Sequence, residues 1–281
     1  FSIFLFLIIL LFVTYIFFIT NKKQLINKDV FEISKGENIE IVINNNFNKT
    51  NNLDLIIYKI YYRIYSLLSN NIIHYGDFNI DKNTSYYKFL KIVTQPSNVL
   101  NKITIIEGWS KKELNNELSK YFDDNYSIDY NDILSDTYYF GKHESFDSII
   151  KKFKEFKKKY IISKKNNIFF DNFDQKDLLI IGSLIEKEGL DTLDKRNISS
   201  VIMNRLNKGM KLQIDATVIY AITDGNYNLN RNLTYKDLKI EHPYNTYFID
   251  GLPPNPISYV GTKTIDIILE NYKSEYLFYF Y

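Results

Sequence analysis

The first twenty residues, "FSIFLFLIILLFVTYIFFIT", contain no charged side chain. As a helix, at ~1.5 Å per residue, they reach across a bilayer core of roughly 30 Å. Backbone in lipid must satisfy its own hydrogen bonds, so a helix is the form this stretch takes there. A cleaved leader would have a shorter apolar region and a small-residue cleavage site after it. The sequence instead continues "NKKQLINK". We therefore expect a retained anchor at 1–20 and a polar linker at 21–29. Lys22, Lys23 and Lys28 follow the span. Taken alone they would hold that side in the cytoplasm, although long domains translocate largely regardless of charge. The chain starts at Phe1 rather than Met, so a native start upstream is expected.

Beyond the anchor, 35 basic and 33 acidic residues give a net charge of +2 over 281 residues. A nucleic-acid partner calls for a clustered basic excess, which this balance does not supply. The absence of cysteine excludes disulfides, thiolate metal sites and cysteine nucleophiles. Only His74, His143 and His242 could supply imidazole, and they are far apart in sequence. A histidine-based metal site is not expected. The chain is rich in Lys, Asn, Ile, Tyr and Phe and poor in Gly and Pro, so each remaining Gly or Pro points to a backbone requirement.

Periodicity divides the remainder into a mixed α/β region at 30–165 and a mainly helical region at 173–281. "VFEISKGENIEIVINNNF" reads as a strand, a turn at Gly36, then a helix or second strand. Residues 55–71 have helical apolar spacing. "NKITIIEGWSKKELNNELSKYF" gives a strand at Ile103–Ile106, a turn at Gly108 and a helix. Ser110 and Glu113 form a capping box for that helix. This βα pattern resembles LysM-like subdomains. "SFDSIIKKFKEFKKKY" is an amphipathic helix with Ile149, Ile150, Phe153 and Phe156 on one face. Farther on, Asp174 is the expected N-cap of a helix ending at Gly189. Asp194 caps a second helix stopped by Gly209, and Asp215 caps "ATVIYAI". Four of the five prolines, Pro243, Pro253, Pro254 and Pro256, fall in one stretch, which marks a rigid loop.

The chemically suggestive segment is "GSLIEKEGL". On a helical wheel Leu178, Ile181, Ile185 and Glu188 share a face, whereas Glu186 lies with Leu179, Gly182 and Ser183. A carboxyl at the end of an apolar stripe is desolvated, and the helix C-terminus acts in the same direction. Both keep it protonated, as a general acid requires. The plainer reading is a charged helix end, with Glu188 paired to a cation such as Arg205 or reaching solvent.

Several ordered stretches resemble one family, the endolytic murein transglycosylases of the YceG-like (MltG) type. They are "GSLIEKEG", "VIMNRLNKGMKLQIDATVIYAI", "HPYNTYFIDGLPPNPIS" and "LENYKSEYLFYF". Upstream, "GDFNIDKNTSYYKFLKIV", "ITIIEGWSKKELNNEL" and "SDTYYF" also fit. The resemblance implies an α+β chain: an N-terminal transmembrane helix, a LysM-like α/β subdomain and a lysozyme-like, mainly helical catalytic domain. It implies a membrane-bound lyase with its catalytic domain outside the cytoplasm. That enzyme would cleave the β-1,4 bond from MurNAc to GlcNAc in nascent peptidoglycan strands, leave 1,6-anhydro ends, and accompany peptidoglycan synthases. No metal or cofactor is implied. By the same resemblance the catalytic acid is Glu188, with Glu186 the runner-up. Asn204, Arg205, Gln213, Thr217, Tyr220, Tyr244, Asn245 and Thr246 fall on motif positions suited to a glycan. Three features depart from the family pattern. Gly189 stands where a hydroxyl residue usually follows the acid, Ala216 stands where proline is usual, and the family continues past the tail with a glycine- and histidine-containing segment. A lysozyme-like hydrolase, which would need a second carboxylate, and a non-enzymatic wall-binding scaffold are the alternatives.

Overall fold

The computed structural model describes residues 2–48, 50–123, 126–170 and 173–279. The chain forms two compact units. One comprises Phe1–Asn101 with Tyr139–Glu144, and the other Lys102–Tyr138 with Ser145–Tyr281. The strand and helix around Gly108 thus group with the C-terminal residues.

In the first unit, α1 (Ser2–Asn21) is the apolar run. Ile19 is buried and Ile16 packs beside it against the unit's core, while Ile3, Phe4, Leu11 and Phe17 are more than two-thirds exposed. Exposed apolar surface costs about 25 cal/mol per Å² in water, so this helix calls for apolar surroundings. It is long and apolar enough to cross a membrane, and a signal sequence would meet the same description. The expected linker is partly ordered: β1 (Lys23–Leu25) pairs antiparallel with β4 (Asn83–Ser85). β2 (Val30–Ile33) pairs antiparallel with β3 (Gly76–Asn79), with Glu32 opposite Asp77. Along β2, Phe31 and Ile33 point inward and Val30 and Glu32 outward, the period-2 alternation of a half-buried strand. After the Gly36 turn the chain is helical, not a second strand: α2 (Ile39–Asn46) is capped by Asn38. α3 (Asn52–Ser69) and α4 (Tyr86–Val93) close the core. Phe47, Tyr58, Tyr86 and Phe89 meet there, with Tyr58 and Tyr86 stacked at 4.1 Å.

The second unit is mainly helical. α5 (Lys111–Leu118) starts at the expected capping box of Ser110 and Glu113. α6 (Phe146–Lys164) buries Ile149, Phe153 and Ile161 and turns Lys151, Lys152, Lys154, Lys158 and Lys159 outward, while the half-buried Lys157 donates to the Asn131 carbonyl. At the centre is α7 (Gln175–Glu188), capped by Asp174 and ended by Gly189 as expected. Every residue from Leu178 to Ile185 is buried, because α8 (Thr192–Asn207), α9 (Asp215–Thr223) and α10 (Thr262–Leu269) all pack on it. A Cβ at Gly182 would lie 2.6 Å from Val260 Cγ1, so glycine is what lets the segment after the prolines lie flat on α7. That segment is stitched down: Ile257 N–H donates to Ser183 Oγ at 3.1 Å, and Ser258 Oγ donates to the Ser183 carbonyl at 3.2 Å. Gly108 N–H donates to the Tyr259 carbonyl, and Tyr259 N–H to that of Trp109. The loop is thus fixed at two places, in keeping with its proline content.

Two expected caps are displaced. Asp191, not Asp194, caps α8, its side chain accepting from the Leu193 and Asp194 N–H groups. The cap position of α9 is Ile214, and Asp215 is the first helical residue. An Asp in the first turn resembles an N-cap in sequence because the helix dipole favours acids at both places.

Candidate active site

The two acids of "IEKEG" sit in different surroundings. The Glu186 side chain is 1% exposed and forms an ion pair with Lys195, whose own side chain is 11% exposed. Its other oxygen accepts the Gly261 N–H at 3.1 Å, and Lys195 also donates to Thr264 Oγ1 at 3.1 Å. Both charges are therefore consumed within the joint of α7, α8 and α10. The wheel put Glu188 on the apolar stripe and so in the drier place. In the structure the drier carboxylate is Glu186, because α7 is covered on all sides and its apolar stripe has no single direction.

Glu188, the last residue of α7, lines a cavity of about 400 Å³. Two helix starts bring further polar walls: the N-cap Ser110 and the first-turn Glu113 of α5, and Asp215, the first residue of α9. Tyr220 and Tyr227 add aromatic surface, and Lys187 sits at the rim with its Nζ 3.4 Å from the Gly108 carbonyl. Tyr220 is nearly buried, its ring 4.7 Å from that of Tyr244. Burial, and then the neighbouring Tyr130, push its phenol well above the ordinary range. Tyr247 donates its hydroxyl to Asp215 Oδ1 at 2.6 Å. The Tyr247 phenol is also pushed up, first by burial, then by the bond to Asp215 and the charges of Asp215 and Glu188, against the opposing pull of Arg205. Tyr279 is raised by burial and then by the charge of Glu188. Glu188 and Asp215 thus act on the same phenol.

Of the residues singled out in sequence, Glu188 and Tyr220 line this cavity, and Tyr244 stands behind Tyr220. Thr217, Asn245 and Thr246 are fully buried and hold the backbone. Thr217 Oγ1 and Thr246 Oγ1 are 2.8 Å apart, and Asn245 Nδ2 donates to the carbonyls of Leu238 and Ile240. Asn204 and Arg205 hold the tail. Asn204 donates to the carbonyls of Ser274 and Tyr276, and Arg205 to those of Leu277 and Leu212. Gln213 is exposed, at a left-handed φ of 51° that few side chains adopt. Its N–H donates to the Thr246 carbonyl. Asp215 and Tyr247 went unselected in the sequence. The signal was within reach, since Tyr247 ends "YNTY", but their 32-residue separation hides the contact.

Gly189 follows from the Glu186 joint. A Cβ there would lie 2.6 Å from Lys195 Cγ and 3.2 Å from the Ile185 carbonyl. The glycine lets Lys195 pass close enough to reach Glu186.

A second cavity, of about 320 Å³, lies between α8 and the tail, against Ile198, Val201, Tyr276 and Phe278. It is largely apolar and does not include Glu188. Among the described residues one group could hold a metal ion. Glu32, Asp77 and His143 offer ligand atoms all within 4.8 Å of one another, with His143 Nε2 3.1 Å from Glu32 Oε1. The wide sequence spacing of the histidines conceals this meeting. All three residues belong to the first unit, and none lines the Glu188 cavity.

Residues 31–281 fit the model of the YceG-like family, and the chain belongs to it. It is 37% identical over 135 residues to an endolytic murein transglycosylase of Bacillus subtilis (strain 168), covering 48% of this chain and 36% of that one. It is 36% identical over 111 residues to the endolytic murein transglycosylase of Streptococcus pneumoniae serotype 2, covering 38% and 20%. The matches thus span about a third or less of these relatives' own length. The crystal structure of a YceG-like protein from Listeria monocytogenes aligns with a TM-score of 0.55 at 25% identity, over 90% of this chain and 93% of that one.

Proposed function

We propose that this protein is a membrane-anchored lytic transglycosylase that cuts peptidoglycan within its glycan strands. The observation that carries the reading is the division of labour between the two glutamates: Glu186 is locked to Lys195, and Glu188 faces the cavity. Family membership and the names of the relatives point to the same substrate. In this reading Glu188 gives its proton to the oxygen leaving between MurNAc and GlcNAc. Its carboxylate then takes the proton from the MurNAc 6-hydroxyl as that oxygen bonds the anomeric carbon. The product is a 1,6-anhydro end, no water is consumed, and strand elongation stops there. Tyr220 and Tyr244 offer ring faces suited to sugars.

The anchor is α1, which leaves the rest of the chain on the extracytoplasmic side, near peptidoglycan synthases. Residues 173–281 form the core of the catalytic domain, and the strand–helix pair around Gly108, a LysM-like element, packs in the same unit and lends Ser110 and Glu113 to the cavity. A hydrolase is the second reading, because Asp215 supplies the further carboxylate that hydrolysis uses. Mass analysis of glycan ends after incubation with purified peptidoglycan separates the readings. Anhydro-MurNAc ends support the lyase, reducing ends the hydrolase, and binding without new ends a scaffold.

A further inference from the structure

The second carboxylate raises a question that the transglycosylase reading leaves open: what keeps water from being activated beside Glu188. We propose that Tyr247, by holding Asp215 through its hydroxyl, is the residue that selects anhydro-forming cleavage over hydrolysis. The inference rests on the transglycosylase reading.

The geometry supports it in three ways. Asp215 stands in the wall of the Glu188 cavity and is exposed to it. Left to itself it could accept a proton from water. One of its oxygens, however, accepts a hydrogen bond from the Tyr247 hydroxyl at 2.6 Å. That oxygen is engaged by the tyrosine and is not free to meet a water molecule. The donor is also permanent: burial and the two nearby carboxylates keep the Tyr247 phenol protonated. Finally, Tyr247 is itself held in place. Its N–H donates to Asn245 Oδ1 at 2.9 Å, and the fully buried Asn245 is tied to Leu238 and Ile240. The buried Asn245 is thus the mount for the tyrosine two residues on.

Held in this way, Asp215 is a fixed negative charge that can stabilise positive charge at the anomeric carbon without acting as a base. The two outcomes balance as follows. In the lyase route, the C1–O4 bond breaks, Glu188 protonates O4, O6 bonds C1, and the O6 proton returns to Glu188. In hydrolysis, C1–O4 breaks with the same proton from Glu188, a water oxygen bonds C1, and the water proton goes to Asp215. The routes differ only in the nucleophile and in which carboxylate ends with its proton.

The test is the ratio of reducing to 1,6-anhydro ends made by full-length protein on purified peptidoglycan, read by mass. Wild type should give anhydro ends almost alone. Tyr247→Phe, which removes one oxygen and keeps the ring, should raise the ratio of reducing to anhydro ends at least tenfold. Tyr247→Phe/Asp215→Asn should return the ratio to the wild-type value at a lower overall rate. A merely structural role for Tyr247 would lower both products together and leave the ratio unmoved, and that result overturns the proposal. So does a raised ratio that survives in the double variant. If wild type makes no anhydro ends, the transglycosylase reading itself fails, a result distinct from either of these.

Discussion

Replacing Glu186 by glutamine should damage the fold far more than it damages the chemistry. Glutamine matches glutamate in shape and can still accept the Gly261 N–H, so only the charge is lost. What remains is the Lys195 ammonium, whose side chain is 11% exposed and whose other contact is the Thr264 hydroxyl. Breaking a buried ion pair from one side costs about 3–5 kcal/mol, because the surviving charge stays desolvated. For a unit of this size each kcal/mol lowers the melting temperature by about 2–4 °C, so a fall on the order of 10 °C is expected. Glu186→Gln/Lys195→Met should recover most of the loss, since removing the ammonium leaves no uncompensated buried charge. The assay is urea and thermal unfolding of the four members of this cycle in detergent micelles, followed by circular dichroism. The reasoning is refuted if Glu186→Gln unfolds within about 1 kcal/mol of wild type, or if Lys195→Met does not compensate.

Gly189→Ser restores the hydroxyl residue usual in the resembling family, yet its Cβ meets Lys195 Cγ at 2.6 Å. It should destabilise by about 1–3 kcal/mol, as overpacked sites do, and urea unfolding reports it. Gly182→Ala meets Val260 in the same way and should be rescued in unfolding assays by Val260→Ala. Ser110→Ala removes a capping box and should cost about 1 kcal/mol, with faster amide exchange in the first turn of α5. Acid should loosen the loop around Asp237. Its carboxyl is held far below the usual range, first by the Arg231 guanidinium and then by the Thr234 N–H and hydroxyl. A depressed pKa means the contribution is full above the unfolded value of about 3.9 and is lost as pH falls below it. The protection of the Thr234 amide, its exchange rate relative to the intrinsic rate at each pH, should fall only on the acid side.

The helix ends were legible where local chemistry sets them. Asp174 and Gly189 bound α7, and Ser110 with Glu113 opens α5, because caps depend on three or four neighbouring residues. The sequence is silent where a partner lies far along the chain. Whether Glu186 or Glu188 is buried depends on Lys195, Gly261 and Thr264, which fold in from α8 and α10. A wheel of α7 alone contains none of them. Asp215 looked like a cap because its partner Tyr247 belongs to another loop. The motif amides and hydroxyls at Asn204, Thr217, Asn245 and Thr246 suggested sugar contacts, yet they hold backbone carbonyls and one another. Buried polar groups must be satisfied, so a polar motif can serve a scaffold as readily as a ligand. β4 was too short at Asn83–Ser85 to show a period.

The central claim is that Glu188 is the proton donor and Glu186 is structural. The direct measurement is the yield of 1,6-anhydro-MurNAc ends from purified peptidoglycan with Glu188→Gln, compared with wild type at matched folded fraction. The account predicts normal unfolding and loss of anhydro ends by at least about a hundredfold, the scale of a lost general acid. Persistence of those ends in Glu188→Gln, at a rate near wild type, would contradict it.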